Sequence, residues 1–419
     1  MKQTLILLIL CLIGMLAAQT NNQLPALRLR VAQNPVDAAS RLELAYQLML
    51  AGSPEEALLH YDTVLTQDPG QRTAAEGSLW ALQALGRFKE SLQRSNTLLR
   101  SMPDHAPFYS YYAYGASSLN RHLRARHAYA MAEKLAETAA IRNTATLGKA
   151  WEYLYLQDYP AARRAFRKLP NAPDSTATRW LQAHSLLLAL GFSSDYQDKK
   201  SGSFSAAYRK SGFSLKLGVE EIYLDGARFR TKQELRAGWQ SPIGTLEAGA
   251  GMIHGDDQRV YPGNSYALAF KPAIYIGKLK LTPSLGAHYS SFERFDIQQA
   301  DLGLKLDSDR LSASFSHSLV YQDNDALGSD TERSLTAFSL GGRIGSSTWL
   351  HGYLYLGNQA WWTSPYGVLN DTFTAHDSAY AISIYSPLSK KLGVLLYHQI
   401  GYQDNEADHS SSFSISYSI

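Results

Sequence analysis

The chain closes on Ser411-Ser412-Phe413-Ser414-Ile415-Ser416-Tyr417-Ser418-Ile419. Apolar residues take every second position and serine takes the ones between. That period of two is a strand with one apolar face and one hydroxyl face. Working back from it, Leu311/Ala313/Phe315 alternate with Ser312/Ser314/Ser316, and Ala300/Leu302/Leu304/Leu306 with Asp301/Gly303/Lys305. Leu246/Ala248/Ala250/Met252, Leu235/Ala237/Trp239 and Phe213/Leu215/Leu217/Val219 repeat the pattern. The region 203–419 is expected to hold about twelve strands, near 213–224, 231–240, 245–255, 265–276, 279–290, 296–306, 311–321, 334–344, 347–357, 378–386, 391–401 and 411–419. Phe204, Ala206 and Tyr208 form either an extra strand or a flap, which fixes the count to within two.

A soluble sandwich alternates too, so the connections decide. Short links (241–244, 277–278, 307–310, 346, 387–390) alternate with long ones (225–230, 256–264, 291–295, 322–333, 358–377, 402–410). Short turns at one end and long loops at the other are the mark of an antiparallel transmembrane β-barrel of the outer membrane. Apolar positions then face lipid and polar ones the lumen. The predicted lumen carries Lys216, Glu220, Lys232, Glu234, Arg236, Glu247, Lys271, Asp301, Lys305 and Arg343. This mixture of signs reads either as a salt-bridged filling or as a narrow polar passage, and the filling is favoured. Trp239, Tyr289, Tyr321, Trp349, Tyr380 and Tyr402, near strand ends, suit interfacial girdles.

The other end of the chain is an export signal. Lys2 precedes an apolar run from Leu5 to Leu16, and Ala17-Ala18-Gln19 offers a cleavage site, so 1–19 is expected to be a signal peptide. The cysteine Cys11 lies inside that run, which excludes disulfide frameworks, thiolate zinc sites and cysteine catalysis for the mature protein. Of the 419 residues 45% are apolar, too many for ordinary disorder. Lys and Arg total 40 against 37 Asp and Glu, without the basic excess of a nucleic-acid binder.

Residues 22–190 repeat with a period of 34. Pro35, Pro69 and Pro103 keep it, as do Gly52 and Gly86. Ala57, Ser91 and Ala125 are followed by Ala162 after a three-residue insertion, and Tyr61, Ser95, Tyr129 and Phe166 run four positions later. This pattern resembles the tetratricopeptide repeat (TPR), in which small residues sit where paired helices cross and an aromatic fills the gap. Repeats are expected at about 38–71, 72–105, 106–139 and 143–174. A partial helix at 24–33 precedes them, and a closing helix at 175–190 and a linker at 191–202 follow. By that resemblance Tyr46, Trp80, Tyr114 and Trp151 face the concave groove, where aromatic rings suit sugar faces or apolar peptide anchors. Packing between helices is the competing reading.

No enzyme, cofactor or metal is expected. In Ser316-His317-Ser318 neighbouring side chains point to opposite faces of a strand, so the run is no dyad. His398 shares the lipid-facing parity of His317, while His254, His376 and His409 are in or beside loops and lack metal-ligand spacing. Asp256, Asp257, Asp323, Asp325, Asp330, Asp371, Asp377, Asp404, Glu406 and Asp408 read as solvated loop carboxylates, ahead of the alternative that divalent cations bridge them to surface lipopolysaccharide. Trp361, Trp362 and Tyr366 read as a sugar platform or a surface anchor.

Signal, TPR array, linker and barrel together resemble the bacterial exopolysaccharide export porins for cellulose and poly-N-acetylglucosamine, with a shorter array and a smaller barrel. In barrel size the chain is closer to the YaiO-like outer-membrane barrels. The resemblance implies an N-terminal domain in the periplasm that binds a protein or polysaccharide, and a barrel that supports export. The alternative is a non-conducting anchor that presents the TPR scaffold. Outer-membrane lipid and the barrel-insertion machinery are the further expected partners.

Overall fold

The computed structural model describes residues 23–170, 175–182, 184–195, 200–224, 227–255, 263–292, 295–323, 331–345, 347–357, 377–389, 391–403 and 406–418. The expected signal peptide, the carboxylates Asp256, Asp257, Asp325, Asp330, Asp371 and Asp404, His376, and the Trp361, Trp362 and Tyr366 group lie outside them. The chain forms two compact units, Met1–Glu152 and Tyr153–Ile419.

In the first unit, helix α1 (23–33) is followed by α2 (Ala38–Leu50), α3 (Pro54–Gln67), α4 (Arg72–Ala84), α5 (Phe88–Ser101), α6 (Ala106–Ser118), α7 (His122–Leu135) and α8 (Ala139–Tyr155). The pairs α2–α3, α4–α5 and α6–α7 coincide with the expected repeats. The periodic small residues are why the helices close: Ala57, Ser91, Ala125 and Ala162 are fully buried. The aromatic position packs against glycine on the next helix. A Cβ on Gly77 would stand 2.3 Å from the Tyr61 ring, and one on Gly148 would stand 2.4 Å from Tyr129. Each hairpin turn ends its first helix with the same 6→1 backbone bond, from Ser53 to Leu48, Arg87 to Leu82, Arg121 to Ala116 and Asp158 to Tyr153. That turn requires a left-handed residue. Gly52 and Gly86 supply it, and Asn120 (φ 55°) and Gln157 (φ 57°) take the same place in the last two repeats, without glycine.

The second unit begins with α9 (Tyr159–Phe166) and α10 (Ser175–Gln182). Among the described residues fifteen strand segments follow: β1 (His184–Asp195), β2 (Lys200–Lys210), β3 (Phe213–Leu224), β4 (Ala227–Ser241), β5 (Gly244–Gly255), β6 (Asn264–Lys271), β7 (Ile274–Ile276) and β8 (Leu279–Ser291). The set continues with β9 (Asp296–Asp307), β10 (Leu311–Asp323), β11 (Thr331–Ile344), β12 (Thr348–Gly357), β13 (Ser378–Pro387), β14 (Leu392–Gln403) and β15 (Glu406–Ser418). Segments β6 and β7 are one strand interrupted at Pro272, which has no N–H to give the ladder. Both halves keep one register against β8, with Phe270 opposite Leu285 and Ile274 opposite Leu281. Every neighbour is antiparallel, β15 pairs with β1, and the β6–β8 pairing closes the ring. The result is a closed barrel of 14 strands, not about twelve.

Of the two additional strands, β2 carries Phe204, Ala206 and Tyr208, the candidates for an extra strand, and β1 occupies sequence expected to be a helix end and a linker. Helix α10 stops at Gln182, and β1 and β2 pair from His184 onward, so the stretch 191–202 is largely strand and the barrel starts near 184. The unbroken run Leu186-Leu187-Leu188-Ala189-Leu190 has no period of two to distinguish strand from helix. Gly191 reads as a chain breaker, yet it stands within β1 because a Cβ there would come 2.6 Å from Ser203 Oγ on β2.

The alternation works as expected elsewhere. On β15, Phe413, Ile415 and Tyr417 are exposed on the outward face while Ser412, Ser414, Ser416 and Ser418 turn inward. Short turns gather at one end, together with both termini of the sheet. There α9 and α10 join the strands: Tyr275 Oη donates to Asp158 Oδ2 (3.0 Å), Arg163 donates to the Ser211 carbonyl (3.0 Å), and Ser211 Oγ donates to the Leu181 carbonyl (2.6 Å).

Candidate functional site

In the helical unit, Tyr46 and Tyr114 are about half exposed, and Trp80 and Trp151 are partly buried. The rings form pairs. Tyr46 lies 6.2 Å from Trp80 at 48°, and Tyr114 meets the edge of Phe88 at 6.1 Å. Trp80 also packs on the core around Leu44, Leu48 and Leu82, so it serves packing and surface at once. Nearby, Arg41 donates to His60 Nδ1 at 3.3 Å. Burial, and then the Arg41 charge, hold His60 below the ordinary imidazole value. The unfolded chain therefore binds this proton more readily. The array is expected to be most stable above about pH 6.5 and to lose stability as pH falls through that value. Thermal unfolding followed by helix circular dichroism at pH 7 and pH 5 measures the effect, and His60→Gln is expected to shrink the difference.

In the barrel, every residue predicted for the lumen has the inward parity. Lys216 bonds Glu234 (2.9 Å), Arg236 bonds the other oxygen of Glu234 (3.0 Å), and Lys271 bonds Glu247 (2.7 Å). Glu220 accepts from Ser201 (2.7 Å) and stands opposite Lys232, and Lys305 bonds Asp307 (3.1 Å). Asp301 is buried, accepting from Gln299 (2.6 Å) and Ser318 (2.5 Å) and lying 2.7 Å from His288 Nε2. Arg343 stands opposite Trp349.

That pairing moves Trp349 from the expected girdle to the lumen wall. Trp349, His351, Tyr353 and Tyr355 alternate along the inward face of β12 as a stack, with centroids 5.7, 6.1 and 6.3 Å apart and planes within 28°. Gly341 opposite leaves room for it, since a Cβ there would meet the His351 ring at 2.0 Å. A cavity of about 130 Å³ adjoins the stack, lined by Tyr353, Tyr355, Thr282, Ser284, Lys271 and Lys305. Proximity to a strand end pointed Trp349 outward, and only the pairing with β11 corrects it. Trp239, Tyr289, Tyr380 and Tyr402 are exposed on the outward face, and Tyr321 is partly buried on the same parity as the exposed Leu319.

On the outward face His317 pairs with Thr336 (3.0 Å) while Ser318 turns inward, as the parity predicts. The register between β14 and β15 creates a pair that no single strand reveals. His398 stands opposite Ser411, with Nδ1 2.8 Å from Oγ, and its ring stacks on His409 at 5.7 Å.

No family model matches the chain, and no curated protein matches it. Among solved structures, MamA from Desulfovibrio magneticus is 16% identical and covers 36% of this chain and 82% of its own, with a TM-score of 0.32. PilF from Pseudomonas aeruginosa is 15% identical, covering 41% and 78%, at 0.35. A loop-deletion variant of OmpT, an outer membrane protein of Vibrio cholerae, is 8% identical, covering 57% and 98%, at 0.33. At such scores these likenesses carry no weight of their own. The TPR-like module and the outer-membrane-type barrel stand on the repeat geometry and strand register.

Proposed function

We propose that the barrel sits in the outer membrane with its helical module in the periplasm, and that it supports export of a saccharide chain that the module helps to bind. The observation that carries this reading is the stack Trp349-His351-Tyr353-Tyr355 on the lumen wall. Flat rings in line offer apolar area to sugar faces at low entropy cost, and the hydroxyls of Thr282 and Ser284 beside the stack suit sugar hydroxyls. Even strand number supports the orientation, because both ends of the barrel lie with the short turns.

Planar-bilayer recordings of the full-length protein test it. Stepwise openings are expected, with transient block by soluble oligomers of glucose or N-acetylglucosamine and weaker block after Tyr353→Ala. A folded barrel without conductance supports a second reading, a closed anchor for the TPR scaffold. The ion pairs Lys216–Glu234–Arg236 and Lys271–Glu247, which neutralise one another on and between neighbouring strands along the lumen wall, favour that second reading. For the module, Trp80→Ala and Trp151→Ala are expected to abolish glycan or peptide binding in titration calorimetry while the helical signal is kept.

A further inference from the structure

We infer that the outward face of β14, β15 and β1 holds a lipid-ester hydrolase site, with Ser411 as nucleophile and His398 as base. Three register pairings build one row across adjacent strands: His398 opposite Ser411, Ser411 opposite Ser194, and Ser194 opposite Lys200. All four residues line one hollow of about 680 Å³. Its floor is apolar, made by Phe192, Ile382, Ile384, Leu396 and Phe413.

The row sits where the outward surface changes character. On β15, His409 and Ser411 give way to Phe413 and Ile415, and on β1 Ser194 gives way to Phe192. On β14 the outward face continues past His398 through Ile400 to Tyr402, so the row lies just inside the aromatic girdle, near the level at which a glycerolipid carries its ester carbonyls. An imidazole on the lipid side of a barrel is costly, which makes it a functional candidate by default. Here it is held 2.8 Å from a serine hydroxyl with its plane fixed by the His409 ring.

The chemistry balances with water as the second reactant. With the other nitrogen protonated, His398 Nδ1 takes the Ser411 proton as Oγ bonds to the ester carbonyl carbon. The Ser194 hydroxyl, one strand away, donates to the developing oxyanion. The carbon–oxygen bond to glycerol then breaks, and the His398 proton leaves on the released lysolipid hydroxyl. Water, deprotonated by the same Nδ1, cleaves the acyl-serine, releasing a fatty acid and restoring Ser411. Lys200 supplies a cation for the headgroup phosphate.

This activity is independent of whether the lumen conducts, and its readouts are separate. Full-length protein refolded into phosphatidylethanolamine–phosphatidylglycerol vesicles is expected to release fatty acid, and a fluorophosphonate probe is expected to label Ser411. Ser411→Ala and His398→Ala are each expected to lower turnover at least ~100-fold. Lys200→Gln is expected to raise KM for the vesicles with kcat unchanged, and His317→Ala to leave turnover as it is. Heat-modifiable migration in gels shows that each variant is folded. A folded wild-type barrel that releases no fatty acid, or turnover that survives Ser411→Ala, overturns the proposal.

Discussion

Phe108→Ala is expected to destabilise the helical module by about 3–5 kcal/mol. Phe108, on α6, is completely buried against Ala75, Leu79 and Leu98 from the preceding repeat, and its ring meets His105 edge-on at 4.4 Å. The site joins three helices, and two of its neighbours are already fully buried, so they have little freedom to collapse into the space left behind. A domain of this size has a total stability of about 5–15 kcal/mol, so the loss takes a large share of it. In a repeat array each unit is held by its neighbours, and a broken interface between the second and third repeats separates the array into short pieces. Urea unfolding followed by helix circular dichroism is expected to show an earlier midpoint with a broader transition. The barrel of the same variant should keep its heat-modifiable migration. An unchanged midpoint would mean that the buried ring carries no packing energy.

The second large effect is on the barrel exterior. Leu302, midway along β9, is 60% exposed on the outward face, between Leu285 and His317 on the flanking strands. Leu302→Arg places a cation near the bilayer midplane and is expected to cost about 2–4 kcal/mol. Ser316→Arg, on the inward face of β10, faces the polar lumen and is expected to cost much less. Folding yield into lipid vesicles, read by heat-modifiable migration across a urea series, compares the two. Equal losses would remove the distinction between an apolar outside and a polar inside.

Much of this architecture is legible in the sequence because two periods are written in side-chain size and polarity. Ala57, Ser91, Ala125 and Ala162 show the helix crossings because nothing larger fits there. Phe413, Ile415 and Tyr417 show the outward face because serine fills every position between them. What a local pattern cannot show is pairing. Leu186 to Leu190 fits a helix or a strand equally well until β2 and β15 are seen beside it. Asn120 and Gln157 hide two turns of the repeat, since the left-handed conformation there is imposed by the surrounding helix pair and not by glycine. His398 and Ser411 are thirteen positions apart and meet only through the hairpin that joins their strands. Of the four aromatics that the repeat resemblance assigns to the groove, Tyr46 and Trp80 meet each other and Tyr114 meets Phe88, contacts between helices that no single repeat encodes.

The seam between β1 and β15 has a consequence for how the protein is made. Leu187 stands opposite Ser418, more than two hundred positions further along the chain. Contacts of such separation form slowly, because a long stretch of polypeptide must be ordered before they repay its entropy. Until the final strand has been synthesised and delivered, the first has an open edge with nothing to cover it, and such edges aggregate. Escort in transit, and a rate of maturation set by the arrival of the last dozen residues, are therefore built into the topology.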